Sequence, residues 1–581
     1  LKVPLVRWRG QWVELRPEDA AAALRAIERA KRGSLTVLEA LRSAAAGTLD
    51  GLPLSEFHVT GPLGALWDPA APETRMGPVE APPGFAGSLR PYQTRGLAWA
   101  AFLRRFGLGG CLADDMGLGK TVQTLALRLH ARAEGTQDGP WLLVAPTSVV
   151  TNWRREAERF APDLRVHIHQ GEGRATGPAF ADAARTSDLL VTSYALLWRD
   201  EADLGKVGWD TVVLDEAQNI KNPLSKVAQV SRRLRARHRL ALTGTPVENR
   251  LTELWSLFEF LNPGYLGPVT TFQEVFARPV ERFGDEGAAQ RLRALVRPLV
   301  LRRLKTDPTV APELPPKIEQ TVFCHLTPEQ ATLYEATVAD MLDQIAKSDG
   351  MERRGLILAA LTKLKQVCDH PALLLHDRSA IPGRSGKVER LEAMLSEALE
   401  EGDRALIFTQ YAEMGRFLRA RLADRFHIDV PFLHGGLSAL ERDFLVQRFG
   451  APGGPPLFVL SLKAGGSGLN LSRANRVFHF DRWWNPAVED QATDRAHRIG
   501  QTETVTVYKF VTEGTLEERI EELLKKKRGL ADRILAAGEA GLTELSTAEL
   551  RKLFTLRREA ALGDPLGEDG TALGPAARGV A

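Results

Sequence analysis

Between Cys111 and Val122 the chain reads Leu-Ala-Asp-Asp-Met-Gly-Leu-Gly-Lys-Thr, a stretch that few folds can hold. Gly117 and Gly119 free the backbone to curl its N–H groups around an anion. Lys120 can reach the β and γ oxygens of a nucleoside triphosphate, and Thr121 offers a hydroxyl to Mg²⁺. Gly110 to Ala113 predicts a short buried strand, and the apolar spacing from Val122 to Arg132 predicts a helix. The loop therefore opens a helix, whose N-terminal N–H groups and partial positive charge suit a phosphate. Asp115, Met116, Gly117, Leu118, Gly119, Lys120 and Thr121 are the candidate nucleotide-binding residues. The usual eight-residue pattern begins with glycine, whereas Asp114 stands there; alone, the stretch also fits a glycine-rich turn that binds nothing.

Downstream of the loop the pattern alternates. Strands are expected at Trp141 to Ala145, Leu189 to Thr192, Thr211 to Leu214 and Arg239 to Leu242, with helices at Asn152 to Phe160 and Leu224 to Leu234. Short apolar runs separated by helices predict a parallel sheet covered on both faces. Ligands of such sheets gather at the carboxyl ends of the strands, and the polar groups fall there: Pro146-Thr147-Ser148, Ser193-Tyr194, Asp215-Glu216-Ala217-Gln218 and Thr243-Gly244-Thr245-Pro246. Asp215 can hold Mg²⁺ and Glu216 can orient and deprotonate the water that attacks a γ-phosphate. Acidic pairs at strand ends are also common solvated features; the loop upstream favours catalysis.

From Glu248 to about Ile345 the alternation gives way to helical patterns, including Leu251 to Leu261 and Ala288 to Leu301. Arg302, Arg303 and Lys305 fit either a phosphate backbone contact or a solvated face. A second alternating region begins near Lys387, with strands expected at Ala405 to Phe408, Val430 to Leu433, Pro456 to Leu460 and Arg476 to Phe480. Helices are expected at Val388 to Leu399, Gly415 to Phe426 and Ala439 to Phe449. No second phosphate loop occurs, so this region reads as a partner lobe. Arg495 and Arg498, three apart, share one face of a helix or turn. Such a pair suits the charge of a transferring phosphoryl group, and equally a solvated surface.

At 581 residues the chain exceeds one core, and about 150 residues per domain suggests three or four units. Lys+Arg 76 against Asp+Glu 73 leaves +3, so net charge announces no polyanion partner. Cys111, Cys324 and Cys368 are too scattered for a disulfide framework, and Cys368-Asp369-His370 before Pro371 reads as a helix end, not a metal knuckle. No apolar run approaches the roughly 20 residues a membrane span needs, so a soluble protein is expected. The chain starts at Leu1 rather than Met, which suggests a fragment or processed chain.

Residues 1–75 read as a small accessory module: a Trp-rich, strand-like opening from Val6 to Val13 and helices at Pro17 to Arg32 and Ser34 to Ala46. Trp8 and Trp12 fit core anchors better than stacking platforms. Asp68 to Gly87 reads as a linker. Gln93 then precedes a helix at Gly96 to Arg105, and its amide can read donor and acceptor on an adenine edge.

With these blocks assembled, the chain resembles the Swi/Snf-type ATPases, the chromatin-remodeller branch of the superfamily-two helicase-like motors. The resemblance runs from about Leu89 to Ile520 and rests on Asp114 to Thr121, Asp215 to Gln218, Leu242 to Asn249, Ser467 to Asn470, Asp481 to Pro486 and Arg495 to Gln501. Asp114 in place of glycine is the form typical of that family, and Cys368 to Pro371 resembles one of its helical blocks. The resemblance implies an α/β fold of two RecA-like parallel-sheet lobes that close on ATP and Mg²⁺, with helical insertions and the accessory module. The expected division is 1–75 accessory, 76–310 first lobe, 311–386 helical insertion and connection, 387–530 second lobe and 531–581 helical tail. Gln93 and the loop residues would bind nucleotide, Thr121 and Asp215 the metal, and Lys120, Glu216, Arg495 and Arg498 would carry catalysis. Duplex DNA would meet Thr147, Asn152, Ser193 and Tyr194 on the first lobe and Thr409, Lys463, Ser467 and Trp484 on the second. A monomeric, ATP-driven motor on double-stranded DNA that displaces bound proteins, in a bacterial cytoplasm near the nucleoid, is the reading this favours. A strand-separating DNA or RNA helicase and a non-hydrolysing, nucleotide-gated scaffold are the alternatives.

Overall fold

The structure is a computed structural model. It describes residues 79–525 apart from 137–138, 148, 172, 245–249, 308, 312, 378–381, 466–468 and 483–485, together with 5–8, 11–14, 35–46, 48–49, 52–53, 58–59, 63–64, 545–558 and 561. The chain divides into two compact units, Leu1–Pro312 and Glu313–Ala581.

The first unit opens with two short antiparallel pairs, β1 (Leu5–Trp8) with β2 (Gln11–Glu14) and β3 (Thr48–Leu49) with β4 (Leu52–Pro53). The helix Val37–Ala46 between them is tied to the lobe after it: Leu41 lies in that lobe's core and Arg42 donates to the Tyr265 carbonyl at 3.0 Å. The helix expected at Pro17 to Arg32 and the linker over 68–78 lie outside the described residues.

Seven strands then build one sheet: β5 (Gly110–Leu112), β6 (Trp141–Ala145), β7 (Val166–Ile168), β8 (Leu189–Ser193), β9 (Trp209–Asp215), β10 (Ala236–Leu242) and β11 (Val300–Leu301). Their order is β11-β5-β10-β9-β6-β8-β7, and every pairing is parallel. The near-continuous apolar runs follow from burial on both faces. Trp141, Leu143 and Ala145 of β6 enter one core cluster while Leu142 and Val144 enter the other. The expected strands and helices of this lobe are present. The helix expected to reach Leu301 stops at Val296, because Pro298 lacks the N–H to continue it, and the chain turns into the edge strand β11.

The second unit repeats the plan with six parallel strands: β12 (Lys317–Cys324), β13 (Ala405–Thr409), β14 (Phe432–Leu433), β15 (Leu457–Ser461), β16 (Arg476–His479) and β17 (Val505–Thr512), ordered β12-β17-β16-β13-β15-β14. Ala405 and Ile407 face one core cluster, Leu406 and Phe408 the other. The stretch 311–386, read as a helical insertion, supplies the edge strand β12. Its half-exposed, polar-interrupted sequence hid it, with Ile318 and Phe323 each 45% exposed. Two helices, Pro328–Ala346 and Gly350–Asp369, bury their apolar faces against Leu516, Ile520, Leu550 and Phe554, so part of the expected tail belongs to this unit's core. The second of these helices ends at Asp369, and His370 caps the next by accepting from the Ala372 N–H at 3.1 Å.

Candidate nucleotide site at the strand tips of the first lobe

Registers bring the polar tips to one level. Leu242 pairs with Leu112 on one side and with Asp215 on the other, Val144 pairs with Leu214, and Ala145 pairs with Ser193. At about 4.8 Å per strand, the tip of β9 with Asp215 and Glu216 sits about 10 Å along the sheet from the tip of β5. The loop from Ala113 to Gly119 leaves β5 at that end.

Gly117 and Gly119 have φ of 85° and 77°, left-handed values open to glycine and costly to other residues. Gly119 is the N-cap of helix Lys120–Ala133. Met116 and Leu118 are buried, so their part in anion binding would come through backbone N–H groups. Lys120 Nζ donates to the Asp114 carbonyl at 2.6 Å, folded back along the loop it would serve. Helix Pro91–Arg105 braces the loop from outside: Tyr92 Oη donates to the Leu118 carbonyl at 2.7 Å and Gln93 Nε2 to the same oxygen at 3.2 Å. Gln93 Oε1 accepts the Arg90 N–H at 2.9 Å. Gln93 thus lies at the loop, buried, with its amide bonded to protein. A Cβ on Gly119 would meet Gln93 Nε2 at 2.5 Å, so the glycine is needed for closeness as well as for φ.

Asp114 acquires a physical role that sequence reasoning missed. Its carboxylate is fully buried and accepts from Arg303 Nε at 2.8 Å, from Arg303 Nη2 in a shorter contact, and from Gln123 Nε2 at 3.2 Å. Arg303 also bonds Gln123 Oε1 at 2.8 Å and lies over the Tyr92 ring at 4.9 Å. The two readings of Arg303, DNA contact or solvated face, are both corrected: a bidentate guanidinium–carboxylate pair locks the segment after β11 to the first residue of the loop. Lys305 is likewise buried, and its backbone N–H donates to Asp115 Oδ2 at 3.0 Å. No local pattern signals a partner 189 residues away.

At the tip of β9, Asp215 Oδ2 accepts from Trp153 Nε1 at 2.7 Å and Oδ1 from the Glu216 N–H at 2.9 Å. Burial, and then the adjacent Glu216 charge, push the Asp215 carboxyl up to about 7. A hard carboxylate oxygen held against a like charge is what a divalent cation relieves, so Asp215 fits Mg²⁺ chemically; Thr121, in the first turn of the helix after the loop, would be the second residue to hold it. Glu216 has φ 50°, ψ 56°, a left-handed conformation rare for a residue with a Cβ. Its Oε2 accepts from Gln218 Nε2 at 2.9 Å, and Gln218 Oε1 accepts from Thr243 Oγ1 at 3.0 Å. Gln218 and Thr243 therefore orient the general-base candidate from the tip of β10, roles not assigned from sequence although both residues lie within polar strand-tip runs.

The expected DNA contacts divide. Thr147 is exposed, and Asn152 is half-buried with its amide on Glu156 at 3.0 Å. Ser193 is buried and N-caps helix Tyr194–Arg199, and Tyr194 Oη donates to the Asp215 carbonyl at 2.7 Å; their side chains are used inside the lobe. In the second unit, Thr409 is buried and donates to Asp481 Oδ2 at 2.5 Å. Ser467, Trp484 and the Lys463 side chain lie outside the described residues, as does 245–249. Arg495 and Arg498 sit in the turn after helix Pro486–Thr493. Arg495 is buried, and half-buried Arg498 donates to the Leu469 carbonyl at 3.0 Å.

A phosphate loop, an acidic strand tip and a second parallel lobe define a nucleotide-binding α/β protein of two-lobed helicase-like build. Family models agree: an SNF2-related domain matches residues 92–373, a helicase conserved C-terminal domain 386–500 and an SNF2 helicase protein model 1–45. The chain is 45% identical over 566 residues, 95% of its length, to the putative ATP-dependent helicase/translocase YwqA of Bacillus subtilis. It is 36% identical over 466 residues, 78% of its length, to the human SWI/SNF-related matrix-associated actin-dependent regulator of chromatin subfamily A member 1. A solved structure of the Sulfolobus solfataricus SWI2/SNF2 ATPase core in complex with dsDNA is 45% identical, with 83% of this chain and 99% of that one covered and a TM-score of 0.42. The chain belongs to the SNF2-related family. It spans 61% of the Bacillus relative and 44% of the human one. Among the described residues, no helix is long and apolar enough to cross a membrane.

Proposed function

We propose that this chain is an Mg²⁺-dependent ATP hydrolase that tracks on double-stranded DNA and displaces bound proteins without separating the strands. The observation that supports the hydrolase part is the level placement of the phosphate loop, Asp215 and Glu216 on one sheet. Bound Mg²⁺ would neutralise charge between the β- and γ-phosphates. Lys120 and the loop N–H groups would hold those phosphates, and Glu216, oriented by Gln218, would take the proton of the attacking water. Arg498, with Arg495, would supply positive charge to the transferring phosphoryl group from the second lobe. The family of the chain and the names of its helicase/translocase and chromatin-regulator relatives support the motor reading over a passive scaffold. Thr147 and Asn152 are suited to phosphate rather than base edges, so binding should tolerate sequence and weaken with salt, by about −0.9 in log–log slope per neutralised phosphate.

ATP turnover measured with no nucleic acid, single-stranded DNA, duplex DNA and RNA tests the partner, and duplex should stimulate most. Triplex displacement run beside forked-duplex unwinding tests the mode. ATP-dependent unwinding without triplex displacement would establish the strand-separating helicase instead, and absence of turnover under every condition would leave the scaffold.

A further inference from the structure

Two separate segments expected to face the duplex both end on the same residue. The first runs from exposed Thr147 into the helix Val150–Phe160, where Asn152 is followed by Trp153; that indole is fully buried and donates Nε1–H to Asp215 Oδ2 at 2.7 Å. The second comes after β8, where buried Tyr194 donates its Oη–H to the backbone carbonyl of Asp215 at 2.7 Å. At Tyr194 a Phe would fill the same place without the hydroxyl, whereas at Trp153 a Phe keeps an aromatic ring but is smaller, so the thermal midpoint is needed to separate lost packing from the lost donor. What the two polar atoms add is orientation: one fixes the carboxylate and the other fixes the peptide that leads into the left-handed turn at Glu216. A hydrogen bond to a charged group contributes more than a neutral one, and buried partners leave it no water to exchange with.

We propose that Trp153 is a positioning residue through which engagement of Thr147 and Asn152 is transmitted to the cation-binding carboxylate Asp215, with Tyr194 a second positioning residue that fixes the Asp215 peptide from inside the lobe. The inference rests on the duplex-stimulated ATPase reading and assigns it a route. A helix that shifts when Thr147 and Asn152 meet a phosphate backbone carries the Trp153 N–H with it, and Asp215 Oδ2 must follow or lose its donor. Tyr194 holds the other side of the same residue, so the carboxylate turns about a fixed peptide and does not drift with it.

Trp153→Phe and Tyr194→Phe each remove one donor and keep an aromatic ring. Three quantities are read for each: the ratio of duplex-stimulated to DNA-free turnover, the Mg²⁺ concentration for half-saturation of fluorescent-nucleotide binding, and the thermal midpoint. The ratio is expected to fall about tenfold in Trp153→Phe, the size of one lost charge-assisted bond, and by less in Tyr194→Phe. The half-saturating Mg²⁺ concentration should rise about threefold or more in Trp153→Phe. A ratio and a Mg²⁺ dependence both unchanged would overturn the proposal. A fall in both turnover rates by the same factor, tracking a lowered midpoint, would make both residues merely structural and overturn it too. If the wild type responds to no nucleic acid, the duplex reading and the transmission fail together, while the Mg²⁺ titration still decides whether Trp153 positions Asp215.

Discussion

Each sheet is parallel throughout, yet the carboxyl ends of their strands handle charge in opposite fashions. In the first lobe, Asp215 and Glu216 stand side by side at a tip and Lys120 rests on backbone carbonyls. In the second, charge is closed on itself. Lys387 is fully buried between Asp369 at 2.9 Å and Glu517 at 2.7 Å. Arg482 joins Glu489 and Glu521, Lys365 donates to the Arg482 carbonyl at 2.6 Å, and Asp481 accepts from Thr409 and from the Gln410 N–H. Burial works against the Lys387 ammonium, but the two carboxylates outweigh it and hold it charged above its ordinary range. The second lobe's buried acids at these ends each meet a buried cation or donor, whereas the first lobe's adjacent Asp215 and Glu216 lack a cation partner among these contacts and are poised for a ligand bearing the missing sign.

The largest break in this comparison should come from the first lobe's acidic tip. Glu216→Gln keeps shape and removes the base, so turnover should fall by about 10²- to 10⁴-fold while fluorescent ATP still binds. Near-normal turnover would remove Glu216 from the chemistry. Lys120→Ala should instead weaken nucleotide binding itself, and an unchanged affinity would count against the phosphate loop.

Arg498 tests whether the second lobe is only a scaffold. Arg498→Ala should cost about 10³-fold in DNA-stimulated hydrolysis, with ATP and DNA each still binding when titrated separately. Wild-type stimulation in this variant would return Arg498 to the lobe's internal bonding, where its contact to the Leu469 carbonyl already lies.

The Asp114–Arg303 pair brings the second lobe's device, a buried and satisfied ion pair, to the first lobe's ligand loop. Arg303→Met leaves a buried carboxylate beside that loop and should destabilise the lobe by about 3–5 kcal/mol. Adding Asp114→Asn should recover part of that loss, since coupled partners are not additive. Chemical denaturation of the single and double variants reads both effects, and strict additivity would show that the two groups act independently.

Much of this is legible in the sequence because it is local. The phosphate loop, the apolar strands β6, β9 and β13, and the acidic tip are each short runs whose residues act together, so spacing alone exposes them. Part of what escaped is non-local or half-exposed, while β17, a buried interior strand between β12 and β16, escaped as well. Arg303 finds Asp114 only after the sheet forms, and its neighbour pattern is that of any basic stretch. β7, β11 and β12 are edge strands with partly exposed residues, so their apolar pattern is interrupted. Tyr194 opens a short helix and Thr409 ends β13, both beside polar residues that suggest a surface, yet their hydroxyls turn inward to Asp215 and Asp481. The sequence pattern tells where polar groups cluster, and only the fold tells whether they point out.

The smallest effect compares the lobes in acid. Each sheet buries a histidine in a strand, His238 in β10 and His479 in β16. Burial pushes His238 down to about 3, helped by the nearby Arg104 charge, and burial pushes His479 down to about 4. Unfolded histidine titrates near 6.5, so between that value and the folded one the unfolded chain binds the extra proton. Stability from these groups is therefore complete above about pH 6.5 and is lost as pH falls toward the folded values. For His479 the loss between pH 6.5 and 5 is on the order of 2 kcal/mol. His479 Nε2 meets Thr493 Oγ1 at 2.9 Å and its ring stacks on Phe408 at 5.5 Å, contacts that a glutamine can in part replace without titrating. Denaturant unfolding at pH 7 and pH 5 should show a smaller acid loss for His479→Gln than for the wild type. His238→Gln should flatten the profile as well, while the ligand-facing carboxylates stay in place. Parallel profiles for wild type and both variants would mean that the acid limb is set by the carboxylates instead, which would locate the lobes' pH sensitivity in their ion pairs.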